Sequence, residues 1–188
     1  KARDYVSSEF KSYGYEPSVQ EYRTYGRAFH NLAAERPGKS PEIVLVGAHY
    51  DSVAGTPGAD DNASGVAVLL DLARFFSGAC RELTLRFAAF ATEEPPFFRT
   101  SDMGSAHYAK LCRKKNENIK AMICLEMVGF YRDAKGSQTY PPVVNLFYPD
   151  TGNFIGVVGD LLSGPLVRRV AEGITAGTRW DDIPADWS

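Results

Sequence analysis

The run EIVLVGAH, Glu42 to His49, restricts the fold more than any other stretch of this chain. It is short, rich in β-branched residues and apolar at nearly every position, which predicts a strand buried on both faces of a sheet. The segment GAHYDSVAGTPGADDNASG, Gly47 to Gly65, then crowds one histidine and three aspartates among glycines and small side chains. Beyond it, Val66, Leu69, Leu70, Ala73 and Phe76 recur at helical spacing, and Asn62 or Ser64 offers a side-chain oxygen to the first turn. The order is strand, acidic loop, helix.

The same order recurs. LTLRFAAFAT is a second buried-strand candidate that runs into Glu93 and Glu94, and DMGSAHYAKLCRKK reads as a helix capped by Asp102. AMICLEMVGF is a third candidate, carrying Glu126, and VVNLFY a fourth, followed by helical readings of TGNFIGVVGDLL and PLVRRVAEGI. Upstream, Ala2 to Lys11 predicts a helix, VQEYRTYG and RAFHNLAAE predict strands, and RPGKSP a turn. Strands alternating with helices predict an α/β fold whose sheet is covered on both faces. No repeat or linker divides the sequence, so a single domain over residues 1–188 is expected. Ligands of open α/β sheets gather at the carboxyl ends of strands. His49, Asp51, Glu93, Glu94 and Glu126 all lie at or near such ends.

Charge narrows the partners. Twenty-one basic residues against twenty-three acidic ones give a net charge of −2, which lacks the basic footprint that nucleic acid requires. No apolar run approaches the roughly 20 residues that cross a bilayer, so no membrane partner is expected. The first residue is Lys1, not methionine, which leaves export or a periplasmic location open. Cys80, Cys112 and Cys124 form no CxxC pair, and their apolar neighbours predict buried free thiols.

A carboxylate-rich site with one imidazole suits a hard or borderline divalent cation, zinc first, with cobalt or manganese as substitutes. Asp60, Asp61, Glu93, Glu94 and Glu126 converging on one rim would repel one another, and no lysine or arginine lies within the acidic loop to balance them. Bound cations supply that balance. His49 and Asp51, two residues apart, suit a ligand and the carboxylate that holds its tautomer.

HYDS, GADDNASG, ATEEP, MGSAHYA and LEMVGF, in this order between about Glu42 and Phe130, resemble the dinuclear zinc aminopeptidases. That family also includes glutamate carboxypeptidases and, more distantly, glutaminyl cyclases. The resemblance implies a three-layer αβα sandwich around a mixed, mostly parallel sheet, here without its C-terminal elements. It implies peptide substrates and two zinc ions: His49 and Glu126 on one, Glu94 on the other, Asp61 bridging both, and Asp51 behind His49. Glu93 is then the general base, drawing a proton from the attacking water and returning it to the departing amine. A cis peptide after the bridging aspartate, Asp61–Asn62, is a further implication.

Two departures accompany the resemblance. Glu126 stands where the family often has aspartate. The remaining ligand of such enzymes, a histidine in a DH pair, is expected just after Ser188, so the Glu94 metal lacks a ligand within these residues and the chain alone is expected to be impaired. His30 and His107 do not match that pair and read as packing or surface residues. Asp60 reads as loop structure. Phe97 and Phe98 either line a substrate pocket or anchor their loop. Arg113, Lys114 and Lys115 complement a helix dipole, and Tyr131, Trp180 and Trp187 read as packing. Hydrolysis at peptide N-termini is the leading expectation; a glutaminyl cyclase-like acyl transferase and a non-catalytic binding domain on the same fold are the alternatives.

Overall fold

A computed structural model describes residues 1–78, 81–142 and 144–176. These group into two compact units, Lys1–Val128 and a second beginning at Gly129, each described by itself. The first unit runs α1 (Ala2–Ser12), β1 (Ser18–Thr24), β2 (Arg27–Arg36), β3 (Ser40–His49), α2 (Gly65–Phe76), β4 (Leu83–Phe90), α3 (Gly104–Lys114) and β5 (Ile119–Cys124). An irregular turn, Ala59–Ser64, leads directly into α2.

The five strands form one mixed sheet in the order β1-β2-β4-β3-β5. β1 pairs antiparallel with β2 and β2 with β4, whereas β3 runs parallel to both β4 and β5. Because His49 pairs with Phe90 and Gly47 with Cys124, the carboxyl ends of β3, β4 and β5 share one edge.

The alternation of side chains along a strand divides the core. Leu32, Ala34, Val46, Ala48, Phe87 and Ala89 face one side and pack against Val6 and Phe10 of α1 and Leu69 and Ala73 of α2. Ala33, Leu45, Ala88 and Phe90 face the other side, against Tyr108 and Cys112 of α3. Two helices on one face and one on the other make the αβα sandwich.

Two readings of this unit change. Cys112 is buried as expected, but Cys124 is an exposed free thiol, because β5 is an edge strand that alternates between half-buried and exposed positions. Cys80 lies outside the described residues. The AMICLEMVGF strand stops at Cys124, so Glu126 stands two residues beyond it, on the loop.

Arg86 interrupts the apolar run of β4 with a buried charge. Its guanidinium donates from Nε (2.7 Å) and Nη2 (2.6 Å) to Glu35 and from Nη1 to Glu117. Burial pushes the Glu117 carboxyl up, but Arg86 and the Cys112 thiol hold it below its ordinary 4.5. Its contribution to stability is therefore present above that value and fades as pH falls through the lowered one. Arg86→Leu is expected to destabilise the fold by about 3 kcal/mol through the carboxylates left behind. Urea unfolding measures this loss, and its narrowing as pH falls below the ordinary carboxylate value of 4.5 identifies the ion pair as the cause.

In the second unit the PLVRRVAEGI segment forms α4 (Gly164–Thr175), with proline in its first turn. Among the described residues of VVNLFY there is no strand: Val144–Leu146 make a single 3₁₀ turn, and Leu146 and Phe147 are exposed. TGNFIGVVGDLL is not helical either. Gly152, Gly156 and Gly159 each disfavour helix by about 1 kcal/mol, and the Asp160 carboxylate accepts the Leu162 and Ser163 N–H groups in a turn before α4. Tyr131 is half-exposed, not a core residue. Among the described residues, no helix is long and apolar enough to cross a membrane.

Candidate metal centre

Four segments of the first unit meet at the shared strand edge. β3 ends on His49, a buried side chain. Its Nε2 lies 3.2 Å from Asp61 Oδ1, on the irregular turn, and 3.5 Å from Glu126 Oε2, on the loop after β5. One atom from each of the three lies within 4.8 Å of the others, a spacing that fits a single cation. Asp61 Oδ1 is buried and accepts no hydrogen bond. A buried carboxylate oxygen is costly unless positive charge faces it, and the His49 ring, 3.2 Å away, or a cation between the two can supply that charge.

The turn is held in place by Asn62, which is fully buried. Its Nδ2 donates to Leu125 O (2.8 Å), while Oδ1 accepts the N–H groups of Gly65 (3.1 Å) and Met127 (3.2 Å). One side chain thus caps α2 and ties the Asp61 turn to the loop carrying Glu126. The second candidate cap, Ser64, instead donates to Asp60 O (2.6 Å) and accepts Val128 N–H (3.0 Å), a parallel tie. Gly65 is required by contact: a Cβ there would come within 2.8 Å of Leu125 O and collide with Asn62. The Asp61–Asn62 peptide is cis.

On the far side of the imidazole, His49 Nδ1 is 3.1 Å from Asp51 O and 3.4 Å from Asp51 Oδ1. Burial alone would lower the His49 pKa, but the hydrogen bond to Asp51 and the charges of Glu126, Asp51 and Asp61 push it up to about 9. Asp51 also accepts the backbone N–H groups of Glu93 (3.0 Å) and Glu94 (3.1 Å) through Oδ2. Burial opposes its charge, yet His49 and these two amides hold its carboxyl below the ordinary range. Asp51 therefore orients the imidazole and clamps the acidic pair together.

Glu93 and Glu94 diverge from that clamp. The Glu93 carboxylate accepts Ser105 N–H (2.6 Å) through Oε1 and Ser105 O–H (2.9 Å) through Oε2. It thereby caps α3, the role expected of Asp102, whose carbonyl instead accepts from Thr92 Oγ1 (2.9 Å). The cap comes from across the fold because Met103, not Asp102, precedes the first helical residue. Burial raises the Glu93 pKa. Glu94 lies beside Asp61, and burial together with that carboxylate raises it too. Burial also raises Glu126, with Asp61 and Asp60 adding to the effect and His49 opposing it. Glu93, Glu94 and Glu126 are thus carboxylates whose charged form a neighbouring dication would favour.

The remaining candidates fall away from this rim. His107 stacks on Tyr22 (centroids 4.3 Å apart), and His30 lies between Glu21 and Arg3. Phe97 meets Tyr25 and Phe29 edge to face and so anchors its loop, while Phe98 is exposed beneath Arg99. Arg113 and Lys114 occupy the last turn of α3. Trp180 and Trp187 lie outside the described residues. Ser105 carried one signal in the sequence, its place in MGSAHYA; Asn62 was legible only as a cap.

Residues 31–161 match peptidase family M28. The chain is 42% identical over 180 residues to the uncharacterized protein YfbL of Escherichia coli, covering 90% of this chain and 54% of that protein. It is 41% identical over 92 residues to the aminopeptidase YwaD of Bacillus subtilis, covering 48% of this chain and 19% of that one. Among solved structures, a Zn-dependent exopeptidase from Parabacteroides distasonis superposes with a TM-score of 0.57 at 28% identity, covering 71% of this chain and 54% of the other. The chain thus spans about half, or less, of the length of these relatives.

Proposed function

The chain belongs to peptidase family M28, and we propose that it carries the metal centre and the general base of a zinc aminopeptidase. The observation that carries this reading is the convergence of His49, Asp61 and Glu126, whose ligand atoms lie within 4.8 Å of one another, with Glu93 on the adjoining turn. His49 and Glu126 would hold one zinc ion, Glu94 a second, and Asp61 both. When bound, zinc supplies a Lewis acid that polarises the scissile carbonyl and lowers the pKa of water.

The protein's own groups do the rest. Asp51 keeps His49 in the tautomer whose Nε2 faces the cation and sets the spacing of Glu93 and Glu94 through their amides. Glu93, its pKa raised by burial, accepts a proton from the attacking water and delivers it to the leaving amine. The Ser105 N–H and hydroxyl hold its carboxylate between these transfers.

The test uses the natural protein containing this chain, loaded with zinc and given leucine p-nitroanilide, its N-acetyl derivative and a peptide with N-terminal glutamine. Release of nitroaniline from the free-amine substrate alone is expected. Release of residues from the carboxyl end, or cyclisation of the glutaminyl peptide without hydrolysis, would overturn the aminopeptidase reading.

A further inference from the structure

We infer that Asn31 and Tyr22, neither of which touches the metal centre, are positioning residues that fix the turn presenting Glu93; the inference rests on the peptidase reading above. β4 leaves the ladder at Phe90, and the next residue, Ala91, has no strand partner for its backbone groups. Side chains replace that partner. Asn31 Oδ1 accepts Ala91 N–H (3.1 Å), and its Nδ2 donates to Gly104 O (2.8 Å) at the start of α3 and to Gln20 Oε1 (2.8 Å). Ala91 O accepts Gly104 N–H (2.9 Å) and lies 3.0 Å from the Tyr22 hydroxyl.

The hydroxyl of Tyr22 also lies 2.8 Å from Thr92 Oγ1, whose own proton goes to Asp102 O. The single Tyr22 proton is thus shared between Ala91 O and Thr92 Oγ1. This matters because Thr92 has φ +57°, a left-handed conformation that a β-branched residue adopts only under constraint. That bend sends the chain from β4 into Glu93 and toward Ser105. Asn31 is fully buried, Tyr22 nearly so, and Gly104 has no space for a Cβ between Ala91 O, Asn31 and Tyr22. The β4 exit and the start of α3 are therefore locked to each other through two side chains of β1 and β2. Glu93, anchored to one and hydrogen-bonded to the other, inherits its aim from that lock.

Tyr22→Phe keeps the ring stacked on His107 and removes only the hydroxyl; Asn31→Ala removes three hydrogen bonds. In the natural zinc-loaded protein, kcat is expected to fall about tenfold for the first and about 100-fold for the second, with KM and zinc content unchanged. Hydrogen exchange of the Ala91, Glu93, Glu94 and Gly104 amides is expected to quicken at least about tenfold while β3 amides stay protected. Unchanged kcat, or exchange quickened equally across β3 and β4, would overturn the assignment, the latter by revealing a purely structural role. Should the unaltered protein hydrolyse no peptide, the peptidase reading fails, and the exchange pattern alone then decides whether these residues hold the turn.

Discussion

Glu93→Gln is expected to lower kcat by about 10³-fold while zinc content and folding stability stay close to those of the unaltered protein, because the substitution removes a base and little else. Glutamine can keep the Ser105 contacts: its carbonyl accepts Ser105 N–H in place of Oε1, and its amide donates to the Ser105 oxygen in place of accepting from it. The Asp51 clamp acts on the backbone amide of residue 93 and is indifferent to the side chain. What is lost is a group that can take and return a proton. Steady-state kinetics with metal analysis on the same preparation checks this. Parallel loss of zinc and turnover would make Glu93 a ligand and transfer the base to another residue.

The second large effect is on the metal itself. His49→Ala removes the one nitrogen of the His49–Asp61–Glu126 group and leaves the carboxylates facing one another. Loss of an outer-shell partner costs about 10- to 100-fold in metal affinity, and loss of the imidazole is expected to exceed that, with activity falling to background. The β4 exit should survive, because Asp51 reaches the Glu93 and Glu94 amides without help from the imidazole. Dialysis against buffered zinc followed by elemental analysis gives the stoichiometry. His107→Ala is the control: that ring stacks on Tyr22 away from the rim and is expected to leave zinc bound. Retention of zinc at the original stoichiometry by His49→Ala would remove the basis of the proposed centre.

The elements of the first unit were readable because their periodicities are strong. EIVLVGAH and LTLRFAAFAT can satisfy so many apolar positions only inside a covered sheet, and both became central strands. VVNLFY and TGNFIGVVGDLL share that apolar composition without forming a strand or a helix among the described residues, because composition without a sheet neighbour or an unbroken helical face does not decide the conformation. Asp102 was misread for a related reason: a cap is whichever acceptor reaches the first turn, and Glu93 arrives there from β4.

What the sequence determined by itself is the inventory: an α/β order, acids and one histidine placed after strands, and the residue types that suit a divalent cation. These follow from local spacing, since a strand end and the residues just beyond it are neighbours in the chain. The family resemblance implied a cation shared by His49, Asp61 and Glu126, whose ligand atoms the fold brings within 4.8 Å of one another; only the tertiary structure decided that Asp51 spans from an imidazole to two amides and that Asn31, Tyr22 and Asn62 stitch the loops to the sheet. The reason is distance along the chain: Asn31 lies 60 residues from Ala91 and Asn62 63 residues from Leu125. Contacts at such separations are set by strand order and register, and no local pattern of side chains records them.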